Sequence, residues 1–312
     1  MGTYIDTVMG PVAPDNLGIT SMHEHIPLDR AGPFRQDAFD FAVAELTRAR
    51  ELGLTTLVEV SPARDMRGLR DIAAKSGINI VACTGFYHYS EREKRFSEEE
   101  FYRHMMMEID LGIDGTGIRP GVLKIKAESS DLTAYETRAV TAAARAQAKS
   151  GLPLCTHAVS GCARQQEVLE AGGADLAKVY FSHTEAEFGW EGRDLEHEIE
   201  YLLDVVAKGS TLSYNNFGNW AHTKPESLLA IITALIESGY SDNQIATMDV
   251  VWSYDKTSNR RILWSDINTD GPRRTYSYLL SDAVPWMQAG GISDADIRRM
   301  IEHTPKRLLG RV

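Results

Sequence analysis

The feature that most constrains the fold is the regular alternation of short β-branched runs with longer segments of helical periodicity. Such alternation is typical of parallel strands that are joined by crossover helices. Eight runs follow one another, at residues 18–22, 55–60, 78–84, 121–127, 152–156, 178–182, 210–214 and 244–248. Eight repeats favour a closed (β/α)8 TIM barrel, an α/β fold.

The segments between these runs carry apolar residues at helical spacing. The clearest predicted helices are 37–51, 97–110, 135–149, 195–208 and 226–238. No proline- or serine-rich linker divides the chain, so we expect one domain, 1–312, with a short N-terminal extension and a long loop after strand eight. An open doubly wound sheet is the alternative, but it would need a glycine-rich phosphate loop where the first run instead ends in His23-Glu24-His25.

The composition excludes several classes of partner. A formal net charge of −11 argues against nucleic acid and anionic membranes, which bind clustered lysine and arginine. No segment approaches the ~18 apolar residues of a membrane span, and the first residues lack the features of a secretory signal. Three scattered cysteines suit neither a disulfide framework nor a thiolate zinc site. We therefore expect a cytoplasmic protein that acts on a small molecule.

Polar side chains recur at the carboxyl ends of the predicted strands, where the active sites of barrels lie. His23 and His25 are two residues apart in an extended segment, so both point to the same face. His157, His183 and Asp249 follow the fifth, sixth and eighth runs directly. A lone His-x-His pair is more often incidental than functional. Five potential ligands at one end of four strands, however, predict a metal site.

The fourth predicted strand contains an unusual lysine. Strand alternation places Val122, Lys124 and Lys126 on the inner face. A bare ammonium group inside a barrel is costly unless it is paired or neutralised. Either a salt bridge to a barrel carboxylate or carboxylation of the amine, which converts it into an anionic oxygen ligand, would remove that cost.

Taken together, these segments resemble the phosphotriesterase-like branch of the amidohydrolase superfamily. The matching segments span nearly the whole chain and are 7–11, 22–25, 117–124, 156–157, 182–183, 248–249 and 303–307. The resemblance implies a binuclear metal-dependent hydrolase with two sets of protein ligands. His23, His25 and Asp249 would hold the more buried metal, and His157 and His183 the more exposed one.

The resemblance also implies that N6-carboxylated Lys124 bridges the two metals. The spacing of the family, a glycine followed by two apolar residues and a lysine, selects Lys124 rather than Lys126. Imidazole and carboxylate ligands suit zinc, manganese, cobalt or iron, and zinc is our expectation.

The expected reaction is attack by a metal-bridging hydroxide, with Asp249 accepting its proton. Tyr87 and Tyr89 lie in an aromatic segment similar to that of lactone-hydrolysing members, and the Tyr87 hydroxyl would steady a substrate oxygen. A lactone or carboxylic ester is therefore the favoured substrate. Hydrolysis of organophosphate triesters or amides at the same site, and a non-catalytic metal-containing binding protein, are the alternatives. We also expect a homodimer.

Some segments depart from the commoner family pattern. Residues 214–218 lack the arginine that many acyl-homoserine lactone hydrolases carry, and the insert 188–193 is unusual. The loop 250–274 shows no clear element, and long loops of this kind often bind substrate. We expect a distinct substrate pocket, with His88 and His222 at its mouth and His104, His197 and His303 in surface roles.

Overall fold

Eight parallel strands in sequence order form the central sheet of the computed structural model, which describes residues 4–27, 36–62, 64–158, 161–220, 223–255, 260–267 and 271–310. A short antiparallel hairpin precedes this sheet, and a second hairpin follows it. The strands are β1 (Ile5–Thr7), β2 (Gly10–Val12), β3 (Ile19–Glu24), β4 (Leu54–Glu59), β5 (Asn79–Phe86), β6 (Val122–Lys126), β7 (Leu154–His157), β8 (Val179–Ser182), β9 (Thr211–Tyr214), β10 (Gln244–Ala246), β11 (Trp252–Asp255) and β12 (Arg260–Leu263).

Helices connect the strands of the sheet and cover its outside. They are α1 (Gln36–Glu51), α2 (Met66–Ser76), α3 (Glu98–Leu111), α4 (Ala134–Ser150), α5 (Cys162–Ala171), α6 (Thr184–Glu191), α7 (Leu195–Ala207), α8 (Pro225–Glu237), α9 (Trp264–Ile267), α10 (Val284–Ala289), α11 (Asp294–Arg298) and α12 (Thr304–Leu309). Ser97 and Thr133 begin α3 and α4 with capping boxes, which satisfy the first free N–H groups of each helix. Two π-helical turns, Leu279–Ala283 and Arg299–His303, complete the C-terminal region.

The sheet curls into a nearly closed barrel. Beyond β10, Thr247 N–H donates to the Tyr214 carbonyl at 3.0 Å, and Asp249 N–H donates to the His23 carbonyl at 3.0 Å. The second bond links the segment after β10, the eighth strand of the barrel, to β3, the first strand of the barrel. The predicted (β/α)8 barrel is thus confirmed, all eight predicted strands are present, and the doubly wound alternative is wrong.

Two apolar clusters stabilise this arrangement. A large one packs the outer faces of the strands against the helices, and a smaller one fills the barrel interior with residues such as Met22, Val58, Val122 and Ile245. Burial on both faces explains why the strands read as nearly continuous apolar runs in the sequence. The polar residues that end the strands therefore stand out against an apolar background.

The expectation that the loop after the eighth strand has no clear element is wrong. It contains the antiparallel hairpin of β11 and β12, followed by α9. Both strands are four residues long and rich in polar residues, so they carry little of the β-branched signal that marks the barrel strands. Trp252 anchors this hairpin to the barrel, because its indole N–H donates to the His25 carbonyl at 2.9 Å and its ring packs edge-on against Phe41.

Gly85 allows β5 to approach β6 closely at Lys124. Its φ is +131°, and a Cβ atom there would lie 1.9 Å from the Lys124 carbonyl oxygen. Any other side chain would separate the two strands at the position where the predicted bridging lysine enters the barrel. Among the described residues, no helix combines the length and the apolar character that crossing a membrane requires.

Candidate metal centre

His23, His25 and Asp249 come together where β3 and β10 end. The Asp249 Oδ1 atom lies 3.0 Å from His25 Nε2 and 3.6 Å from His23 Nε2. One potential ligand atom from each residue lies within 4.8 Å of the other two. His23 is fully buried, and its Nε2 atom has no hydrogen-bond partner among the described residues. Buried polar atoms normally have a partner, so the orphaned nitrogen and this donor set fit a bound divalent metal.

His157 and His183 extend this group on the side of β7 and β8. Their ring centroids are 4.6 Å apart, and His183 Nε2 lies 3.9 Å from Asp249 Oδ2. His157 Nε2 lies 3.6 Å from the carboxylate of Glu128, a residue that the sequence analysis did not single out. All four predicted histidines are therefore contiguous around one aspartate, with His157 joining the group through His183.

Lys124 and Lys126 occupy different environments. Lys124 is fully buried, and its ammonium donates to the Cys155 sulfur at 3.3 Å. It forms no ion pair within the described part of the chain, whereas Lys126 is partly exposed and pairs with Glu128 at 2.9 Å. A salt bridge therefore stabilises the charge of the partly exposed Lys126, and Lys124 is the lysine whose buried amine has no ion pair among the described residues.

Three buried glutamates hold the backbone at this end of the barrel, and we call them the carboxylate clamps: Glu24, Glu59 and Glu185. The Glu24 carboxylate accepts hydrogen bonds from Met248 N–H at 3.1 Å and Val250 N–H at 2.9 Å, on either side of Asp249. Asp249 has a φ of +50°, a conformation that costs a non-glycine residue roughly 1–2 kcal/mol. The first clamp therefore fixes a metal-ligating candidate in a strained backbone conformation.

The other two clamps act in the same way. Glu59 accepts from Ser61 N–H at 2.7 Å and from Ile26 N–H, and Glu185 accepts from the N–H groups of Asn215 at 2.5 Å and Asn216 at 2.7 Å. Burial raises the pKa of both Glu24 and Glu185 to about 7. None of the three glutamates was predicted from the sequence. The available signal was that Glu24 and Glu59 also end strands, as the predicted ligands do.

Burial also sets the protonation states of the ligand candidates. It lowers the pKa of His23 and His183 well below the usual value, and for His23 the charge of Lys124 adds to this effect. For Asp249, burial raises the pKa, but the hydrogen bond from His25 and the surrounding imidazoles hold it well below the usual range. Neutral histidines and an ionised aspartate are the forms that bind metal.

Arg274 supports the same end of the barrel from the C-terminal side. Its buried guanidinium donates to the carbonyls of Phe217 at 2.7 Å, Asn215 at 2.6 Å and Met248 at 2.5 Å. These bonds join the segment after β9 to the segment that carries Asp249. The sequence offered no local signal for this role, because the partners are backbone atoms that are distant along the chain.

A cavity of about 450 Å³ opens above the metal-ligating candidates. His25 and Asp249 lie at its base. Its walls include Arg64, Phe86, Tyr87, His88, His104 and Trp252. The predicted place of His88 at the mouth is thus supported, and His104, whose side chain is 33% exposed, packs its ring against Phe86 in the cavity wall. His197 and His303 are exposed, as expected.

The two tyrosines after β5 have different environments. The Tyr87 ring lies 5.4 Å from the ring of His157 and 6.1 Å from that of His25, measured between centroids. The Tyr89 hydroxyl instead donates to the Lys126 carbonyl at 2.8 Å. Tyr87 therefore faces the candidate site, and the hydroxyl of Tyr89 has a structural partner. His222 and the side chains of residues 188–190 lie outside the described part of the structure.

Comparison with known proteins covers almost the entire chain. The model of the phosphotriesterase family matches residues 3–309. The phosphotriesterase homology protein of Escherichia coli strain K12 is 27% identical over 307 residues, covering 94% of this chain and 98% of that protein. The N-acetyltaurine hydrolase of Salmo salar is 26% identical over 359 residues, covering 98% and 97%.

A solved structure is similar over the same length. It comes from the molecular engineering of organophosphate hydrolysis activity from a weak promiscuous lactonase template. It superposes with a TM-score of 0.84 at 25% identity and covers 98% of this chain and all of that one. The similarity therefore extends over the barrel and both hairpins rather than over isolated motifs.

Proposed function

The chain belongs to the phosphotriesterase family and is a hydrolase, and from this premise we propose that it uses two divalent metal ions to cleave a lactone or a carboxylic ester. The observation that carries the proposal is the group of His23, His25 and Asp249 at the base of the cavity, with a buried, unpartnered Nε2 on His23. Membership of a family of hydrolases also argues against the alternative of a non-catalytic binding protein.

Each metal would have its own protein ligands. His23, His25 and Asp249 would hold the more buried ion, and His157 and His183 the more exposed one. Lys124, carboxylated on its ε-amine, would lie between them, which agrees with its burial and with its lack of an ion pair among the described residues. When bound, two divalent ions lower the pKa of a water toward ~7 and polarise the oxygen of the bond to be broken. Zinc is the metal that we propose.

Asp249 is the residue that we propose as the proton acceptor. Its carboxylate faces three histidines, and its pKa is held low by them, so it is ionised at neutral pH. The Glu24 clamp and the Asp249 N–H bond to His23 fix its backbone on both sides. A fixed, ionised carboxylate that faces the cavity accepts a proton from the attacking water and passes it to the leaving oxygen.

Tyr87 is the residue that we propose to orient the substrate. Its ring lies beside His157 and His25 in the cavity wall, and burial raises the pKa of its phenol, so the hydroxyl keeps its proton. A protonated phenol donates a hydrogen bond to the oxygen on which negative charge develops during attack on a carbonyl. The lactonase template among the similar structures supports the same choice of substrate.

Amide hydrolysis is a second candidate, because one relative of nearly full length is an N-acetyltaurine hydrolase. The same arrangement of Asp249 and the metal-ligating candidates suits water attack on an amide carbonyl. Organophosphate triesters are expected to react as weaker, promiscuous substrates. A homodimer and a cytoplasmic location stay predictions, and sedimentation velocity of the purified protein tests the first.

Metal content and activity after chelation test the proposal directly. We expect about two metals per chain, activity that is lost on chelation and restored by zinc, and a loss of at least 100-fold in kcat for Asp249→Asn. Asp194→Asn is the matched control, because Asp194 is an exposed helix cap that asparagine also provides. Fewer than about one metal per chain, or an Asp249→Asn variant as active as this control, would overturn the metal mechanism.

A substrate panel tests the choice of ester over amide. It contains γ- and δ-lactones, sugar lactones with and without phosphate, aryl esters, N-acetyltaurine, N-acyl amino acids and phosphotriesters, compared by kcat/KM. We expect a lactone or an ester to rank first. An amide or a phosphotriester that exceeds every lactone and ester by about tenfold, ~1.4 kcal/mol in transition-state stabilisation, would refute this choice and leave the metal site intact.

A further inference from the structure

A chain of hydrogen bonds leads from the side of the cavity to the ring of His25. The guanidinium Nη2 atom of Arg64 donates to the Ser61 hydroxyl oxygen at 2.7 Å. The same oxygen lies 2.5 Å from His25 Nδ1. Ser61 is buried and the Arg64 side chain is only 14% exposed, so water competes little for these bonds.

The Glu59 clamp contacts both Ser61 and Arg64, the first two residues of this series of hydrogen bonds. Its Oε1 atom accepts from Ser61 N–H at 2.7 Å and lies 3.6 Å from Arg64 Nε. Its other oxygen accepts from Ile26 N–H, directly after His25. One buried carboxylate therefore holds the backbone beside His25, the backbone of Ser61 and the charged head of Arg64.

The chemistry of these groups determines which atoms donate and which accept in this series of hydrogen bonds. Arginine has donors only, so the Ser61 oxygen must accept from Arg64, and one lone pair and the hydroxyl proton remain for His25. With Nδ1 engaged by Ser61, Nε2 is the ring atom that faces Asp249, at 3.0 Å. The His25 carbonyl is held separately by the Trp252 indole and the Tyr276 hydroxyl, each at 2.9 Å, so its backbone is fixed independently of the ring.

We propose that Arg64 is a positioning residue for metal binding, which acts through Ser61 to hold the His25 ring with Nε2 turned toward the more buried metal position. This inference rests on the proposed function, since it assumes that His25 binds metal. Groups that orient a metal-ligating histidine typically change metal affinity or activity by 10–100-fold when they are removed. Arg64 also lines the cavity, so direct contact with an anionic substrate is the competing role that the experiment must separate.

A double-mutant cycle on metal binding tests the proposal without using activity. The affinity of the metal-stripped protein for its first equivalent of zinc is measured by competition with a chromophoric chelator. We expect Ser61→Ala and Arg64→Met each to weaken binding by 10–100-fold, and the double variant to lie within about threefold of Ser61→Ala. Ser61→Thr keeps the hydroxyl and should remain within about threefold of wild type.

Arg70→Met is the matched control, because Arg70 lies on α2 close to Arg64 in sequence but donates to the Val8 carbonyl. Its zinc affinity should equal that of wild type, and urea unfolding of each metal-free variant identifies any that fails to fold. Arg64→Lys, which keeps the charge but not the planar fork of donors, replaces Arg64→Met if that variant does not fold, and the same loss of affinity is expected.

Each other outcome is decisive. Additive effects of the two substitutions would show that Arg64 does not act through Ser61. Unchanged zinc affinity, with a raised KM for anionic substrates alone, would assign Arg64 to substrate binding instead. Either result refutes the positioning role while the metal site stands. A wild-type protein that binds no zinc would instead defeat the proposed function itself, and the positioning role with it.

Discussion

Arg274 joins two neighbouring segments at the catalytic end of the barrel, and replacing it with methionine should destabilise the fold strongly. Its guanidinium donates to three buried carbonyls, those of Asn215, Phe217 and Met248. Leaving one buried acceptor without a partner costs about 1–3 kcal/mol. Three such losses are partly offset because methionine, unlike a guanidinium, costs nothing to desolvate. We therefore expect the free energy of unfolding to fall by about 3–5 kcal/mol.

Urea unfolding of the metal-free protein, followed by circular dichroism, measures this loss. Arg273→Met is the control next in sequence, because Arg273 is 52% exposed and pairs with Asp266 at 2.7 Å on the surface. An exposed pair contributes about 0–1 kcal/mol, so this variant should remain near wild type. If the two variants unfold within about 1 kcal/mol of each other, the three carbonyl bonds do not carry the stability that we assign to them.

Three further predictions concern other buried side chains. Lys124→Ala should lose bound zinc and activity, whereas Lys126→Ala keeps the metal, as measured by metal analysis; equal metal content in the two variants would contradict the bridging role. Glu24→Gln can accept at only one of its two clamp positions, so kcat should fall by about tenfold at unchanged KM; a kcat equal to that of wild type would show that Asp249 needs no clamp. Burial raises the pKa of Glu198 above its usual 4.5, so the stability that this group contributes is complete below pH ~4.5 and is lost as the pH rises through the folded-state pKa. In urea unfolding from pH 4 to 8, the free energy of unfolding of Glu198→Gln should therefore rise relative to that of wild type as the pH rises. A difference between the two free energies that does not change with pH would refute this.

The sequence allowed the barrel and its predicted ligands to be placed because both depend on local patterns. Buried parallel strands require continuous apolar runs, and the polar residue that ends such a run is conspicuous, as at His183 after β8. The five helices predicted from periodicity are all present, with ends that differ by at most one residue. In these cases short-range information determines the structure.

What could not be predicted depends on contacts between distant segments. Glu24 binds backbone groups more than 200 residues away, and Arg274 binds carbonyls of two other loops. The periodicity of apolar residues does not indicate such hydrogen bonds between a side chain and a distant backbone group, because every residue carries a peptide group. Tyr87 and Tyr89 show the same limit, since only the fold determines which hydroxyl meets the Lys126 carbonyl.

The backbone-directed character of the carboxylate clamps has a consequence for how such a chain diversifies. Glu24 recognises the peptide N–H groups at positions 248 and 250, and every amino acid except proline supplies one. The hydrogen bonds that hold the backbone around Asp249 therefore do not depend on which side chains flank it. Segments that begin after Trp252, whose indole holds the His25 carbonyl, can be exchanged, in natural variation or by grafting, while the aspartate stays in place. A new wall for the cavity then arises without rebuilding its base.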